Sequence, residues 1–422
     1  MDHFLYRDGA LHAEDIPIAE IAEAVGTPFY CYSTATLERH FSVLDKSLAD
    51  AGLEDRLICY SVKANSNIAV IATLAKLGAG ADIVSQGEMV RALKAGIDPS
   101  KIVFSGVGKT ADEMHAALDA GILQFNVESL SEIDMLASVA SRIGKVAQVA
   151  LRVNPDIDAG THEKISTGKA ENKFGIAWED AEAGFAHVQS LDGVEAKGID
   201  IHIGSQITDP EPFRLAFEKV AGLLTSLRAK GHIIERLDLG GGLGVPYARD
   251  NDPPLDPAIY ANLIADILGD KGCTIMLEPG RLIAANAGVL VTSVIRAKQG
   301  KAKNFMIVDA AMTELMRPTL YGAYHDIKPV KEIETNEMVW DVVGPVCESG
   351  DFLGQDRKLP VPDEGDLLAI FAAGAYGAVL GSSYNTRPAA PEVLVNGSRF
   401  AVVRARPDYE AMLERESLPD WI

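Results

Sequence analysis

The sequence predicts an α/β fold: a (β/α)8 TIM-like barrel followed by a mainly β C-terminal domain. Three observations favour this fold. Short apolar runs alternate with helical patterns over about 250 residues, which is the usual size of such a barrel. Eight of these apolar runs follow one another in a single series. After Arg281 the helical periodicity ends, and apolar runs separated by turns are typical of a β domain.

The barrel elements follow from hydrophobic periodicity and from turn residues. The eight predicted strands are 57–60, 81–84, 102–104, 123–127, 149–153, 198–203, 237–239 and 275–277. The predicted helices between them are 67–77, 87–95, 111–120, 131–143, 178–189, 212–229 and 256–268. Strands that are apolar on both faces belong to a parallel sheet covered by helices. An open doubly wound sheet has similar spacing, but eight strands in one series favour the closed barrel.

The two ends of the chain are predicted to lie together. Residues 4–6 are strand-like, and a helical pattern follows that the turn at 26–28 ends. Ser33 is a predicted N-cap for the next helix. Residues 26–281 are therefore predicted to form the barrel. Residues 1–25 and 282–422 are predicted to form the β domain, with strands at 289–291, 305–308, 338–339, 367–371 and 393–395.

Composition disfavours several classes of protein. With 422 residues, 47% of them hydrophobic, the chain can bury a large core. Its 39 basic and 60 acidic residues give a formal net charge of -21, which repels nucleic acids and anionic membranes. The first residues show no secretion signal, so we expect a cytoplasmic protein.

Neither a disulfide framework nor a metal site is predicted. The four cysteines are widely separated and show no paired metal-ligand spacing: Cys31, Cys59, Cys273 and Cys347. The uncharged run 367–384 approaches the length of a membrane helix, but it contains three glycines. It is therefore predicted to form buried strands and a tight turn.

Lys63 is the first candidate for catalysis. It follows the first predicted barrel strand and precedes a polar, turn-like cluster at 64–67. The active site of such a barrel lies at the carboxyl ends of its strands. Lys63 is therefore a candidate nucleophile that forms an imine with a carbonyl compound. The alternative is a surface lysine whose stem covers apolar residues.

Polar motifs also follow the last three predicted strands. His202 and Ser205 follow the sixth strand, the glycine run 240–244 follows the seventh, and Glu278 to Arg281 follow the eighth. Loops after barrel strands seven and eight often bind phosphate, and a glycine-rich turn lets backbone N–H groups approach an anion. A glycine run alone is a weak indication, because most such runs are tight turns.

Together these residues suggest pyridoxal 5'-phosphate as the cofactor. Lys63 would form the imine, the glycines would hold the phosphate, and Glu278 would pair with the ring nitrogen. An opposite charge beside a nitrogen base raises its pKa, so Glu278 would keep the ring nitrogen protonated. His202 is placed to stack on the ring, although a structural hydrogen-bonding role is the alternative.

Five motifs in one order give a specific resemblance that covers nearly the whole chain. They are YSVKAN at 60–65, HIGSQ at 202–206, GGG at 240–242, EPGR at 278–281 and CESGD at 347–351. The chain resembles the fold-type III pyridoxal phosphate decarboxylases, and within them the diaminopimelate decarboxylases. The resemblance implies the alanine racemase-like arrangement of barrel and β domain, and a homodimer whose active sites use residues from both subunits.

The resemblance also implies roles for individual residues. It places the cofactor imine on Lys63, and the phosphate near Ser205, Gly241, Gly242, Gly280, Arg281 and Tyr376. It makes Cys347 the acid that reprotonates the substrate carbon from the partner subunit. From the residues alone, a structural role is the favoured interpretation of Cys347. The neighbouring Glu348 disfavours the thiolate, which suits a proton donor.

The implied reaction is decarboxylation of meso-2,6-diaminopimelate to L-lysine and carbon dioxide, the last step of lysine biosynthesis. The non-reacting end of this substrate carries a carboxylate and an ammonium group. Arg281, Arg317 and Tyr321 can bind the carboxylate, Glu348 the ammonium, and Tyr376 also lies in the implied substrate site. An unpaired buried charge costs roughly 3–5 kcal/mol, so ornithine and lysine, including the product lysine, are expected to be rejected.

Some alternatives remain open. Polyamine-type decarboxylases acting on ornithine, arginine or carboxynorspermidine share the fold. A racemase is disfavoured because residues 64–67 lack the tyrosine and histidine that follow the lysine in alanine racemases. A non-enzymatic pyridoxal phosphate-binding protein would not need the residues after Arg281, and a phosphate-binding barrel without pyridoxal is also possible. The long polar segment 154–174 is a predicted lid, with a surface loop as the alternative.

Overall fold

The structure, a computed structural model, describes residues 2–158, 172–248 and 254–422. The chain divides into two compact units. The barrel unit comprises Glu38–Val245 and Pro253–Ile283, and the β unit comprises Met1–Leu37, Pro246–Asp252 and Ala284–Ile422.

The N-terminal segment contributes strands and a helix to the β unit. Its elements are β1 (Phe4–Arg7), β2 (Ala10–Ala13), β3 (Ile16–Pro17), α1 (Ile18–Val25), β4 (Phe29–Ser33) and the start of α2 (Thr34–Asp50). β2 pairs antiparallel with both β1 and β3. The Ser33 hydroxyl accepts a hydrogen bond of 3.0 Å from the Thr36 N–H, so the predicted N-cap is confirmed.

A closed parallel barrel forms the second unit. Its strands are β5 (Arg56–Ser61), β6 (Gly80–Ile83), β7 (Ile102–Phe104), β8 (Gln124–Val127), β9 (Ala147–Asn154), β10 (Ile176–Ala177), β11 (Val194–Asp200), β12 (Arg236–Asp238) and β13 (Thr274–Leu277). β10 pairs with β9 only and lies outside the barrel. In the described part of the chain the other strands pair parallel around the ring, and β13 closes it against β5. The predicted barrel is confirmed.

Helices alternate with these strands, and five of the helices begin at a residue whose side chain caps a backbone N–H group. They are α3 (Ile68–Ala75), α4 (Gln86–Lys94), α5 (Ala111–Ala120), α6 (Leu130–Arg142), α7 (Ala181–Gln189), α8 (Glu211–Ala229), α9 (Pro257–Leu268) and α10 (Arg281–Ala284). At α5, the Thr110 and Glu113 side chains satisfy each other's backbone N–H groups in a capping box. The same helix ends at Gly121, whose φ of 74° lies in the left-handed region.

The β unit continues after the barrel. Its elements are β14 (Gly288–Gln299), β15 (Asn304–Val308), α11 (Arg317–Tyr321), β16 (Ile327–Pro329), β17 (Glu337–Val343), β18 (Phe352–Pro360), β19 (Leu367–Ile370), β20 (Glu392–Asn396), β21 (Arg399–Arg404) and α12 (Tyr409–Leu413). The main sheet has the order β18-β17-β15-β14-β4-β20-β21, and β19 pairs with β14 and β16. The predicted β domain after the barrel is confirmed.

The two ends of the chain share the core of the β unit. Phe4, Ile18 and Phe29 pack in one buried cluster with Val291 and Val393. β4 lies between β14 and β20 in the sheet. The sequence patterns predict that the barrel begins after residue 25 and ends at residue 281. In the structure the barrel unit begins after Leu37, because β4 pairs with strands of the β unit, and it ends before Ala284.

The uncharged segment 367–384 contains β19 and no membrane-spanning helix. Across the described residues, no helix combines the length and the apolar character that crossing a membrane requires. The strand Leu367–Ile370 is instead paired on both sides, with β14 and with β16.

Candidate active site

Lys63 lies in a short 3-10 turn, Val62–Ala64, directly after β5. Its Nζ lies 3.0 Å from Oδ2 of Asp82, which is at the end of β6. The Ser61 hydroxyl donates a hydrogen bond of 2.6 Å to the same oxygen. The Asp82 side chain is fully buried, whereas that of Lys63 is 40% exposed. Asp82 therefore holds an accessible amine at the carboxyl end of the barrel strands.

Glu278 follows β13 and is buried. Its Oε1 accepts hydrogen bonds from the Ser105 hydroxyl at 3.2 Å and from Nδ2 of Asn126 at 3.1 Å. Burial raises the pKa of Glu278 well above its ordinary value, and the nearby Asp238 charge adds to this, while the positive charge of Lys63 opposes it. Glu278 is therefore a buried acid that gives up its proton less readily than an ordinary glutamate.

Two more carboxyl groups lie beside Glu278. One oxygen from each of Asp200, Asp238 and Glu278 lies within 4.8 Å of the other two. Asp238 accepts hydrogen bonds from the Gly240 N–H at 3.1 Å and from Nδ2 of Asn126 at 3.2 Å. Burial, followed by the charge of Asp200, raises the pKa of Asp238 to about 8. Asp238 therefore holds its proton at neutral pH, which limits the negative charge in the barrel.

His202 and the glycine turn are joined by a hydrogen bond. The Gly241 N–H donates to Nδ1 of His202 at 3.2 Å, so Nδ1 carries no proton. Burial lowers the pKa of His202 well below its ordinary value, and the positive charges of Arg152 and Lys63 add to this effect. His202 is therefore a neutral imidazole with its proton on Nε2. The Gly241 N–H is engaged by this histidine in the structure.

The glycine turn has no room for side chains. A Cβ at Gly241 would lie 2.4 Å from the carbonyl oxygen of Glu278. A Cβ at Gly242 would lie 2.6 Å from the carbonyl oxygen of Gly204, and the φ of +113° at Gly242 is one that other residues rarely adopt. Glycine at these positions lets the loops after three barrel strands approach one another by their backbones.

Ser205 and Arg281 meet beside this turn. Nε and Nη2 of Arg281 donate to the Ser205 hydroxyl at 3.2 Å and 3.1 Å. Arg281 is buried. At Gly280, a Cβ would lie 2.9 Å from that of Ala64, so the turn that carries Arg281 packs closely on the turn that carries Lys63. A guanidinium and a hydroxyl group at a glycine-rich turn can bind a phosphate.

The donor set of the barrel unit fits pyridoxal 5'-phosphate. Lys63 offers an amine for the aldehyde, and Glu278 offers a buried acid for the ring nitrogen. Ser205 and Arg281 offer a hydroxyl and a cation for the phosphate, at a turn that only glycine permits. The barrel unit thus brings together the residues that sequence motifs indicated after its first, sixth, seventh and eighth strands.

Comparison with known proteins agrees with this donor set. A family model described as pyridoxal-dependent decarboxylase, pyridoxal binding domain, matches residues 15–285. The chain belongs to the pyridoxal-dependent decarboxylase family. The resemblance indicated by the sequence motifs is thereby confirmed, as is pyridoxal 5'-phosphate as the cofactor.

Two full-length relatives of this pyridoxal-dependent decarboxylase are diaminopimelate decarboxylases. The chain is 51% identical over 418 residues to that of Pseudomonas aeruginosa and 48% identical over 419 residues to that of Zymomonas mobilis, with 99% of each chain covered. It is also similar to the crystal structure of diaminopimelate decarboxylase from Helicobacter pylori complexed with L-lysine, with a TM-score of 0.90 and 41% identity. That comparison covers 94% of this chain and 98% of the other.

In the β unit of this decarboxylase, Arg317 and Tyr321 lie on one short helix. α11 spans Arg317–Tyr321, so the two residues lie one helical turn apart. The guanidinium carbon of Arg317 lies 5.9 Å from the ring centroid of Tyr321 and 4.8 Å from that of Tyr247. Arg317 is only 6% exposed. Aromatic rings therefore flank a buried cation, which is an arrangement suited to an anionic ligand.

Cys347 and Glu348 lie in an exposed turn that contacts α11. The Cys347 N–H donates to Oδ1 of Asn385 at 2.9 Å, and both Cys347 and Glu348 are exposed. The Thr319 hydroxyl of α11 donates to the carbonyl oxygen of Gly350 at 2.6 Å. The helix of Arg317 and the turn of Cys347 are therefore held together within the β unit.

Tyr376 is in a strained backbone conformation. Its φ of 56° lies in the left-handed region, where residues other than glycine are uncommon. The Gly377 position that follows it is too close to the carbonyl oxygen of Ala373 for a side chain, because a Cβ there would lie 2.5 Å away. Such strain is often found at functional sites.

Sequence reasoning missed the polar residues inside the barrel strands. Asp82, Asn126, Asp200 and Asp238 lie within or at the end of β6, β8, β11 and β12, and all are buried. Each interrupts an otherwise apolar run, and that interruption near a strand's carboxyl end was the available indication. Which of these side chains meet Lys63 and Glu278 could not be read from that pattern.

The predicted lid falls largely outside the described residues. Thr161, Lys169 and Glu171 lie there, and the described parts of the segment are its two ends. Directly after the C-terminal end of the segment, the Gly175 N–H donates to Oε2 of Glu128 at 3.0 Å. The lid remains a prediction.

Proposed function

We propose that this chain is a pyridoxal 5'-phosphate-dependent carboxy-lyase that converts meso-2,6-diaminopimelate to L-lysine and carbon dioxide. The observation that carries the proposal is the convergence of an amine, a buried acid and a guanidinium-hydroxyl pair at one end of the barrel. Full-length relatives at 48–51% identity are diaminopimelate decarboxylases.

The barrel residues support each requirement of this chemistry. The bound cofactor supplies an electron sink for the electrons that remain when carbon dioxide leaves. Lys63 would bind the cofactor aldehyde through Nζ, which Asp82 holds at 3.0 Å. Glu278 keeps its proton more readily than an ordinary glutamate, because burial raises its pKa, and it would form the hydrogen bond with the ring nitrogen. The neutral Nδ1 of His202 keeps the glycine turn beside it ordered.

Phosphate binding is proposed for Ser205, Arg281 and the glycine turn, with Gly241, Gly242 and Gly280 keeping the loops close. The Gly241 N–H donates to His202 and carries no formal charge. Arg281, which lies beside Ser205, would therefore supply the positive charge that pairs with the phosphate. Arginine suits this role because its fork of N–H groups matches a phosphate oxygen pair. Tyr376 is proposed to complete the phosphate and substrate contacts.

Substrate choice is proposed to depend on the β unit. Arg317, together with Tyr321 and Arg281, would bind the carboxylate at the non-reacting end, and Glu348 would bind the ammonium group. Arg317 is nearly buried between aromatic rings, so a substrate without that carboxylate would leave its charge unpaired. This costs roughly 3–5 kcal/mol, or on the order of a hundred- to several-thousandfold in specificity.

We propose that the product lysine binds to this site, in place of the expectation that the site rejects it. L-Lysine has lost the carboxylate of the reacting end but keeps the carboxylate and ammonium group of the other end. These are the groups that Arg317 and Glu348 would recognise. The similar Helicobacter pylori enzyme was crystallised in complex with L-lysine. Rejection should therefore apply to ornithine and to lysine as substrates for decarboxylation.

We also propose a homodimer in which Cys347 of one subunit serves the active site of the other as the proton donor. Cys347 is exposed in a turn held by Asn385, which leaves its thiol open to a second subunit. Mixing Lys63→Ala and Cys347→Ala variants tests this. Random reassortment would restore up to about a quarter of the parent activity if the sites are shared, and none if they are not.

A cytoplasmic location is proposed as well, in keeping with the acidic composition and the free cysteines. All four cysteines are free, and two of them, Cys31 and Cys59, are buried. A reducing compartment keeps such thiols reduced.

The deciding experiment is release of carbon dioxide by the purified protein with pyridoxal 5'-phosphate. Substrates to compare are meso-diaminopimelate, ornithine, arginine and carboxynorspermidine. Release from diaminopimelate alone supports the proposal, and release chiefly from another amino acid identifies a polyamine-type decarboxylase. A cofactor absorbance lost on borohydride reduction without carbon dioxide release would indicate a non-enzymatic pyridoxal phosphate-binding protein. Lack of that absorbance would refute the cofactor.

A further inference from the structure

His325 lies against Arg317 in the core of the β unit. It is fully buried, with 0% of its surface exposed. Nδ1 of His325 lies 2.8 Å from the carbonyl oxygen of Phe371. On the other side of the ring, Nε of Arg317 donates to Nε2 of His325 at 3.3 Å. The imidazole thus connects the guanidinium to the backbone of a neighbouring segment.

These two contacts assign the state of the imidazole. A carbonyl oxygen can only accept a hydrogen bond, so Nδ1 of His325 must carry a proton. Arginine can only donate, so Nε2 must carry a lone pair. His325 is therefore neutral, with its single proton on Nδ1. A flip of the imidazole ring would break both hydrogen bonds. The hydrogen bond to the Phe371 carbonyl oxygen therefore fixes the position of Nε2.

Tyr247 holds the guanidinium from a second direction. The guanidinium carbon of Arg317 lies 4.8 Å from the Tyr247 ring centroid. The Tyr247 and His325 rings meet edge to face, with centroids 5.1 Å apart and planes at 77°. The guanidinium is therefore fixed at one edge by a nitrogen acceptor and on one face by a ring. A charged group that is buried and held in this way loses little freedom when it binds an anion.

We propose that His325 is a positioning residue for substrate recognition: its Nε2 holds the Arg317 guanidinium in the orientation that accepts the non-reacting carboxylate of the substrate. This inference rests on the proposed function, in which Arg317 binds that carboxylate. Because Nε of Arg317 is engaged by His325, the carboxylate is met by the terminal nitrogens Nη1 and Nη2. Two parallel N–H groups at that end match the two oxygens of a carboxylate.

Two probe molecules isolate the carboxylate contact. L-Lysine and 1,5-diaminopentane differ only in the carboxylate, and both carry an amine that can occupy the reacting end. The test measures the dissociation constant of each from the pyridoxal phosphate-loaded enzyme by its absorbance change. The ratio of the two constants reports the Arg317 contact, whereas general damage to the fold changes both constants together.

Two substitutions of His325 test the roles of Nδ1 and Nε2 separately. In His325→Gln, the side-chain oxygen can take the place of the Nε2 acceptor, and in His325→Asn the amide reaches only the Nδ1 position. We expect His325→Asn to reduce the preference for L-lysine by roughly tenfold, the effect of losing one hydrogen bond to a charged group. His325→Gln should restore most of that preference. With the substrate, His325→Asn should raise KM more than it lowers kcat.

A double variant tests whether His325 acts through Arg317. In Arg317→Met, which removes the guanidinium, adding His325→Asn should leave the ratio unchanged if His325 acts through Arg317. If His325→Asn does not fold, as judged by circular dichroism, His325→Leu replaces it, since leucine also lacks the acceptor that Nε2 provides. A preserved preference in His325→Leu would then overturn the proposal, and a reduced one would support it.

Failure of this inference and failure of the proposed function give different results. If the parent enzyme binds L-lysine no better than 1,5-diaminopentane, the proposed role of Arg317 is refuted and the inference goes with it. If the parent prefers L-lysine and Arg317→Met abolishes the preference, but His325→Asn keeps it, only the inference is overturned. Equal losses in His325→Asn and His325→Gln would also overturn it, because then the acceptor at Nε2 is not what matters.

Discussion

Substitution of Gly241 by alanine tests whether backbone contact at the glycine turn is needed for cofactor binding. The new Cβ would lie 2.4 Å from the Glu278 carbonyl oxygen and 3.2 Å from its carbonyl carbon. Ordinary contact needs 3.4 Å or more, so the turn or the Glu278 backbone must shift by about 1 Å. Strain of this kind costs about 1–3 kcal/mol. The apo protein can relax, but the bound state needs both the turn and Glu278 in place.

We therefore expect Gly241→Ala to weaken binding of pyridoxal 5'-phosphate by about 5- to 150-fold. The measurement is titration of the apo protein with pyridoxal 5'-phosphate, followed by the absorbance of the bound cofactor. The melting temperature of the apo protein shows whether the variant folds.

Gly222→Ala is the matched control. Gly222 lies in α8, and a Cβ there meets nothing within 4 Å. Alanine in a helix is favoured over glycine by about 1 kcal/mol, so this variant should be slightly more stable and bind the cofactor as the parent does. Unchanged cofactor affinity in Gly241→Ala, with unchanged melting temperature, would refute the reasoning about the turn.

Three further predictions concern buried charges. Arg317→Ala should lower kcat/KM for meso-diaminopimelate by roughly a hundred- to several-thousandfold, because a buried cation that pairs with the carboxylate is lost. Burial raises the pKa of Asp238 to about 8, so the folded chain keeps a proton that the unfolded chain releases above about pH 4. Stability from this proton is lost as pH rises from about 4 to about 8, so the melting temperature of Asp238→Asn relative to that of the parent should rise over this range and level off above about pH 8. Lys109→Met should lower the free energy of unfolding by about 3–5 kcal/mol, because it leaves Glu132 buried without its partner at 2.7 Å.

Each of these has a control or a result that contradicts it. An unchanged kcat/KM in Arg317→Ala would show that the arginine does not contact the substrate. A constant difference in melting temperature between Asp238→Asn and the parent at every pH would mean that the carboxyl group is not protonated in the folded state. Lys46→Met is the control for Lys109→Met, because the Lys46 and Asp50 side chains are 72% and 65% exposed. It should change stability by less than about 0.5 kcal/mol.

Local patterns determined the order of the elements and the placement of the main motifs. The strands and helices of the barrel could be predicted because hydrophobic periodicity and capping depend on residues a few positions apart. Lys63, the glycine turn and Glu278 could be placed at strand ends for the same reason. The resemblance then gave roles to Ser205, Arg281 and Cys347 that periodicity alone does not contain.

The partners of these residues were decided only by the tertiary structure. Asp82 reaches Lys63 because β6 lies beside β5 in a register that brings Ser61 opposite Asp82. Tyr247 and His325 meet the same guanidinium although Tyr247 is far away in sequence. Such contacts depend on strand register and on the packing of segments that are distant in the chain, and a local pattern carries no information about either.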